Sequence, residues 1–284
     1  MNRVLIIQKT VENRKGCDKM AVPYQILRRS DMYILTYRFS MFGDYKRFSP
    51  TTENVIQWTQ MFKDNGFEFL PNIIAQQVSP IPLVPTLPPQ PDNRIQFSSP
   101  AGDLFVRVLS ERVDVEHTSI ETDTPVEELR NKFGVLEVLI RTMLGALENE
   151  KGTRLAYYVD GFMPEKEDGA FNGIYSSNNV GITIKNAEDC VEWRHRFNSH
   201  IKIDAGSGEE LCNSIILLEA AALNAQNSDN GEISAIKGLH FSADINTVAE
   251  RNARRFIPDD LIRFCSQAQE LYFNVYTQLS EFTK

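Results

Sequence analysis

Arg194, Arg196, Asn198, His200 and Lys202 recur at every second position of the segment 191–203. Side chains of an extended strand alternate between its two faces, so a strand here would set all five in one row. Such a row can hold an anion, and arginine's planar fork suits a carboxylate or phosphate through two parallel hydrogen bonds. Arg194, Arg196, His200 and Lys202 are therefore the candidate ligand-binding residues, for a small anionic ligand or an acidic segment of a partner protein. The intervening residues Trp193, His195, Phe197, Ser199, Ile201 and Ile203 are mostly apolar. The more ordinary alternative is a solvated outer face whose charges pair with acids on neighbouring strands.

A second polar row, His240, Ser242, Asp244 and Asn246, alternates with Leu239, Phe241, Ala243 and Ile245. Histidine and aspartate are metal-type ligands, and His200 or Asp204 could join them. Alternate residues of one strand stand about 7 Å apart, however, whereas a metal needs ligands that converge. A polar sheet face is the preferred reading, and no metal is expected. His117, at a strand end, and His195, on a half-apolar face, read as structural.

Arg251, Arg254 and Arg255 form a second basic cluster. Together with the 194–202 row it is the whole case for nucleic-acid binding. Against it stand 38 acidic residues to 30 Lys and Arg, a net charge of −8. A phosphate backbone calls for a basic surface, so the charge balance argues against nucleic acid as a partner. The chain has no G-x-x-x-x-G-K-[ST], no G-x-G-x-x-G after a strand, no H-E-x-x-H and no G-x-S-x-G. No cofactor is implied.

The elements that would carry these rows follow from periodicity. The 284 residues are 42% hydrophobic and 24% charged, a globular mixture with room for a real core. Strands are expected at 4–7, then at 24–27 and 32–39, the last two paired through a turn at 28–31. Ser49-Pro50-Thr51-Thr52 supplies a helix start, with hydroxyl caps and a proline tolerated in the first turn; the helix stops at Gly66, and Trp58 anchors it to the sheet. A strand at 67–78 precedes six prolines in 79–91, a stiff extended connector.

Alternation over 94–116 predicts three antiparallel strands in quick succession. A helix then opens at Thr124 and Pro125, with Glu127 and Glu128 in its first turn and the stripe Leu129, Phe133, Leu136, Ile140, Met143 and Leu147. Strands return at 154–159, weakly at 180–184, at 191–203 and at 239–246. The run 215–223 reads as a buried apolar run that periodicity alone cannot assign, and Ser228-Asp229-Asn230-Gly231 is a hairpin signal that favours strand on both sides. Pro258, Asp259 and Asp260 open a last helix with the stripe Leu261, Phe264, Ala268, Leu271, Val275, Leu279 and Phe282.

The repeated order of strands, proline, acids and long helix predicts an α+β fold built by internal duplication. The expectation is two tandem antiparallel-sheet units, each with a long C-terminal helix packed across its sheet. The first spans 1–150, with the proline-rich connector, and the second spans 151–284. The four cysteines are far apart and form no C-x-x-C, which suits a reducing compartment. The first apolar run is too short for a signal peptide, and no stretch approaches the roughly 20 apolar residues of a membrane helix. A soluble cytoplasmic protein is expected.

Two short pieces resemble a sporadically distributed family of uncharacterised bacterial proteins. Residues His195-Arg196-Phe197-Asn198-Ser199-His200-Ile201 resemble that family's L-R-Y-x-N-x-I strand, with Ser199 where the family tends to have Asn. Ala243-Asp244-Ile245-Asn246 resembles its D-x-D strand before a C-terminal helix, with Asn246 replacing the later acid. The resemblance implies a similar order of strands and helices and no assigned reaction. The functional expectation is a binding or interaction protein for an anionic ligand or an acidic partner segment. The alternative is an enzyme acting on a small anionic substrate, with Arg194, Arg196 and His200 as binding and acid–base groups.

Overall fold

The computed structural model describes residues 4–8, 21–25, 33–76, 92–118, 126–147, 150–165, 171, 193–227, 233–251 and 253–281. Its strands are β1 (Val4–Gln8), β2 (Ala21–Gln25), β3 (Tyr33–Phe42), β4 (Leu70–Gln76), β5 (Asp92–Ser98), β6 (Leu104–Val108), β7 (Arg112–Thr118), β8 (Arg154–Pro164), β9 (Arg194–Asp204), β10 (Glu209–Asn227) and β11 (Ile233–Thr247). Its helices are α1 (Thr52–Asp64), α2 (Val126–Ala146) and α3 (Pro258–Glu281).

All the strands join one antiparallel sheet, in the order β2-β1-β10-β11-β8-β3-β7-β6-β5-β4, with β9 also paired to β10. The expectation of two tandem sheet units is therefore wrong. β8 pairs with β3 on one side and with β11 on the other, which joins the two expected units through continuous backbone hydrogen bonds. β1, from the start of the chain, pairs with residues 224–227 of β10. Periodicity reports which face a residue occupies but not which strand lies beside it, so pairing between remote segments was invisible to it. The pairing expected for 24–27 and 32–39 fails for the same reason. β2 pairs with β1 at one edge, while β3 lies in the middle between β7 and β8.

The three helices lie against one face of this sheet. Trp58 of α1 stacks on Phe97 of β5, with centroids 6.0 Å apart, which fits the anchoring expected of it. Phe133 of α2 meets Phe39 of β3 edge-on at 5.6 Å, and Tyr272 of α3 lies flat on Phe241 of β11 at 4.7 Å. Each large side chain buried this way contributes about 2 kcal/mol by leaving water. α2 packs beside α3 on the same sheet, where Arg141 reaches Asp259, and so has no sheet of its own. The α3 stripe is Leu261, Phe264, Ala268, Tyr272 and Leu279. Leu271, expected in it, is instead exposed, since a step of four from Ala268 keeps Tyr272 on the buried line.

The other face is polar. In the observed register Arg194, Glu219, His240, Asp160, Arg38, Glu116 and Arg107 all lie on it, contributed by seven consecutive strands. No helix among the described residues is long and apolar enough to cross a membrane. The proline-rich connector, the Thr124–Pro125 helix start, the weak strand at 180–184 and the hairpin turn at 228–231 lie outside the described residues.

Candidate functional site

β9 forms where the alternation predicted it, and its turn into β10 is made by Gly206 and Gly208, at φ of 88° and 137°. These are left-handed values that a side chain disfavours, so glycine fits the tight reversal. The turn sets Arg194 opposite Glu219, Arg196 opposite Leu217, His200 opposite Asn213 and Lys202 opposite Leu211. All four predicted residues thus share the polar face of the sheet, and all four are exposed.

Their partners differ. Arg194 Nε lies 3.3 Å from Glu219 Oε2, and Lys202 Nζ lies 2.6 Å from Glu209 Oε1. Arg196 and His200 have no ion-pair partner among the described residues. Arg196 is the cation of the row with its whole fork open to a ligand. Beneath it, on the helix side, Trp193, His195 and Phe197 form a short ring ladder with centroid spacings of 5.2 and 6.3 Å.

The second predicted row lies on the same face, two strands away. His240 is buried, with Glu219 Oε1 2.6 Å from its Nδ1 and Asp160 Oδ1 against its Nε2. Each ring nitrogen of His240 thus faces a carboxylate oxygen. Glu219 also meets Arg194, so a continuous polar chain runs from Asp160 through His240 and Glu219 to the basic row. Asp244 accepts from Asn246 Nδ2 at 3.0 Å, and Asn246 Oδ1 accepts from Arg154. His200 stands level with Asn213 and Asn246, not with His240, and Asp204 pairs with Glu209 at the turn. The residues weighed as metal ligands do not converge, and no group of three or more His, Cys, Asp or Glu among the described residues has the geometry to hold a metal ion.

Asp160 and Glu219 are the members of this cluster that sequence reasoning missed. Each is a lone acid inside an apolar strand, in the runs YYVDGFM and IILLEAAAL. A buried acid needs a partner, so an isolated carboxylate in such a run is the signal that could have found them.

Further along the face the charges close on one another. Glu116 meets Arg107 at 2.8 Å and Arg38 at 3.7 Å, while Asp114 accepts from Ser40 Oγ at 2.6 Å and from Arg112 Nε at 2.9 Å. Arg38 also covers the ring of Tyr158. Burial, reinforced by the Asp160 carboxylate, pushes the Tyr158 phenol well above its usual value, with Arg38 opposing. His117, on the helix side, stacks on Tyr37 at 5.0 Å and lies 3.8 Å from Asp103.

The basic cluster at 251–255 is engaged within the protein. Arg255 grips buried Glu210 with Nε and Nη2, at 2.9 and 3.1 Å, and Arg251 approaches the same carboxylate at 3.6 Å. Arg254 lies 3.7 Å from both Asp44 and Glu150. Comparison of the chain with protein-family models, curated proteins and solved structures found no match.

Proposed function

We propose that this chain is a binding protein acting in the cytoplasm, and that the β9 row recognises carboxylate groups on an acidic segment of a partner protein. The observation that carries this reading is Arg196. It is an exposed arginine with no acidic partner among the described residues, flanked in one row by Arg194 and Lys202. Elsewhere on the same face Arg38, Arg107 and Arg112 all have carboxylates of their own. The resemblance to the sporadically distributed bacterial family belongs to this proposal and brings no reaction with it.

Fluorescence anisotropy with a labelled glutamate-rich peptide tests the reading. Binding is expected to weaken with added salt, and to fall about tenfold or more in the Arg194→Ala, Arg196→Ala double variant. Equal binding of an uncharged peptide, or no effect of the double substitution, overturns it.

A second reading, an enzyme acting on a small anionic substrate at the same row, is favoured by the polar chain from Asp160 through His240 to Arg194. It requires a small carboxylate or phosphate compound to stabilise the protein against heat, and that response to vanish in the double arginine variant. No response across a metabolite and metal panel removes it.

A further inference from the structure

We propose that β9 is a docking edge, along which an extended acidic segment of a partner protein adds as a further strand, main chain to main chain, beside residues 194–202. This rests on the reading of the basic row as a carboxylate-binding surface, and it specifies how the partner is held.

The backbone of β9 has a definite phase. Ala220 N–H donates to Trp193 C=O at 3.1 Å, and Ala205 N–H donates to Gly208 C=O at 3.0 Å. Both contacts follow the β9–β10 register, in which Arg194 faces Glu219 and Asp204 faces Glu209. Hydrogen-bonded positions alternate along an antiparallel strand. The odd-numbered residues from 193 to 205 therefore bond to β10. Arg194, Arg196, Asn198, His200 and Lys202 direct their N–H and C=O groups away from it.

The next residue in the same phase, Asp204, already has a partner. Asp204 N–H donates to Gln267 Oε1 at 3.2 Å, and Gln267 Nε2 donates to Asp204 C=O at 2.9 Å. The Gln267 side chain on α3 thus occupies the place a neighbouring peptide group would take. It ends the open edge at 204. No backbone partner lies outward of Arg194, Arg196, Asn198, His200 or Lys202 among the described residues. A strand with unpaired N–H and C=O groups is a template for another strand.

Charge selects the occupant. A second copy pairing through its own β9 would set Arg and Lys against Arg and Lys, and like charges directly opposite are destabilising. An acidic strand meets the row with complementary charge. A residue opposite Arg196 shares its face, and one opposite Phe197 shares the other face, where Phe197 is 44% exposed. The segment that fits alternates acidic with apolar residues.

The test uses the full chain and a short labelled peptide of alternating Glu and Val. Proline at 198 removes an outward N–H and none that serves β10, so Asn198→Pro should melt close to the parent and bind the peptide about tenfold or more weakly. Arg196→Glu should also lose binding. If Asn198→Pro binds as tightly as the parent while Arg196→Glu does not, strand addition is overturned and the carboxylate reading stands. If Arg196→Glu binds as well as the parent, both fall. Should Asn198→Pro fail to fold, a peptide N-methylated at every Val and Glu carries the same charge without donors, and its undiminished binding overturns the proposal. A parent dimer in sedimentation that Asn198→Pro dissolves would assign the edge to a second copy instead.

Discussion

The two basic clusters of this acidic chain read alike in sequence and end in opposite situations. Arg255 is held by the carboxylate of Glu210, which is 5% exposed, and its guanidinium lies 4.2 Å from the Phe256 ring centre. Arg196 stands on an exposed edge strand with no acid of its own among the described residues. A buried charge must be matched within the fold, because leaving water is costly without a partner. An exposed cation carries no such requirement and stays available to a ligand. The difference makes Arg255 a support of the fold and leaves Arg196 open, as the proposed recognition role requires.

The largest expected effect comes from unmatching the closed cluster. Glu210→Ala strips Arg255 of both its carboxylate bonds and should lower stability by about 3 kcal/mol in urea denaturation. A loss under about 0.5 kcal/mol, the usual range for an exposed charge, would erase the distinction between the clusters.

A smaller effect concerns Cys212, beside Glu210. Burial, with the Glu210 charge adding to it, pushes its thiol up to about 12 from an ordinary 9.0. A raised value favours the neutral thiol in the folded state. The resulting stability is present below pH 9 and is lost as pH rises from there towards about 12. At pH 10 the parent should have lost roughly 1 kcal/mol that Cys212→Ala does not lose. A stability difference between the two that stays constant from pH 8 to about pH 11 would contradict this assignment.

The smallest effect belongs to the open cluster. Arg196→Ala should change stability by no more than about 0.5 kcal/mol, since nothing among the described residues pairs with it. A larger loss would mean that Arg196 supports the fold, and the contrast with Arg255 would close.

Much of the local structure was legible. The strand at β9 and the shared face of Arg194, Arg196, His200 and Lys202 followed from a period of two. The meander β5–β6–β7 and the stripe Leu136, Ile140 and Met143 of α2 also followed from their periods. What failed was everything that depended on remote neighbours. The arginines at 251–255 gave no sign of being engaged, because Glu210 and Asp44 are far off in the chain. His240 was noticed as one of a row along its own strand, yet its partners Glu219 and Asp160 come from the strands on either side.

The sequence by itself determined which residues share a face, because alternation is a property of one strand and needs no neighbour. It also determined the acidic balance and the local basic row within it. Only the tertiary structure decided that one sheet, not two, carries these faces, since β8 joins β3 to β11 across more than a hundred residues of chain on one side and some eighty on the other. It alone left β9 without a neighbour on one side among the described residues, aimed the backbone groups of the even-numbered residues 194–202 that way and capped Asp204 with Gln267. Strand order and hydrogen-bond phase are set by pairing between remote segments, and it is that pairing which separates an available cation from an engaged one.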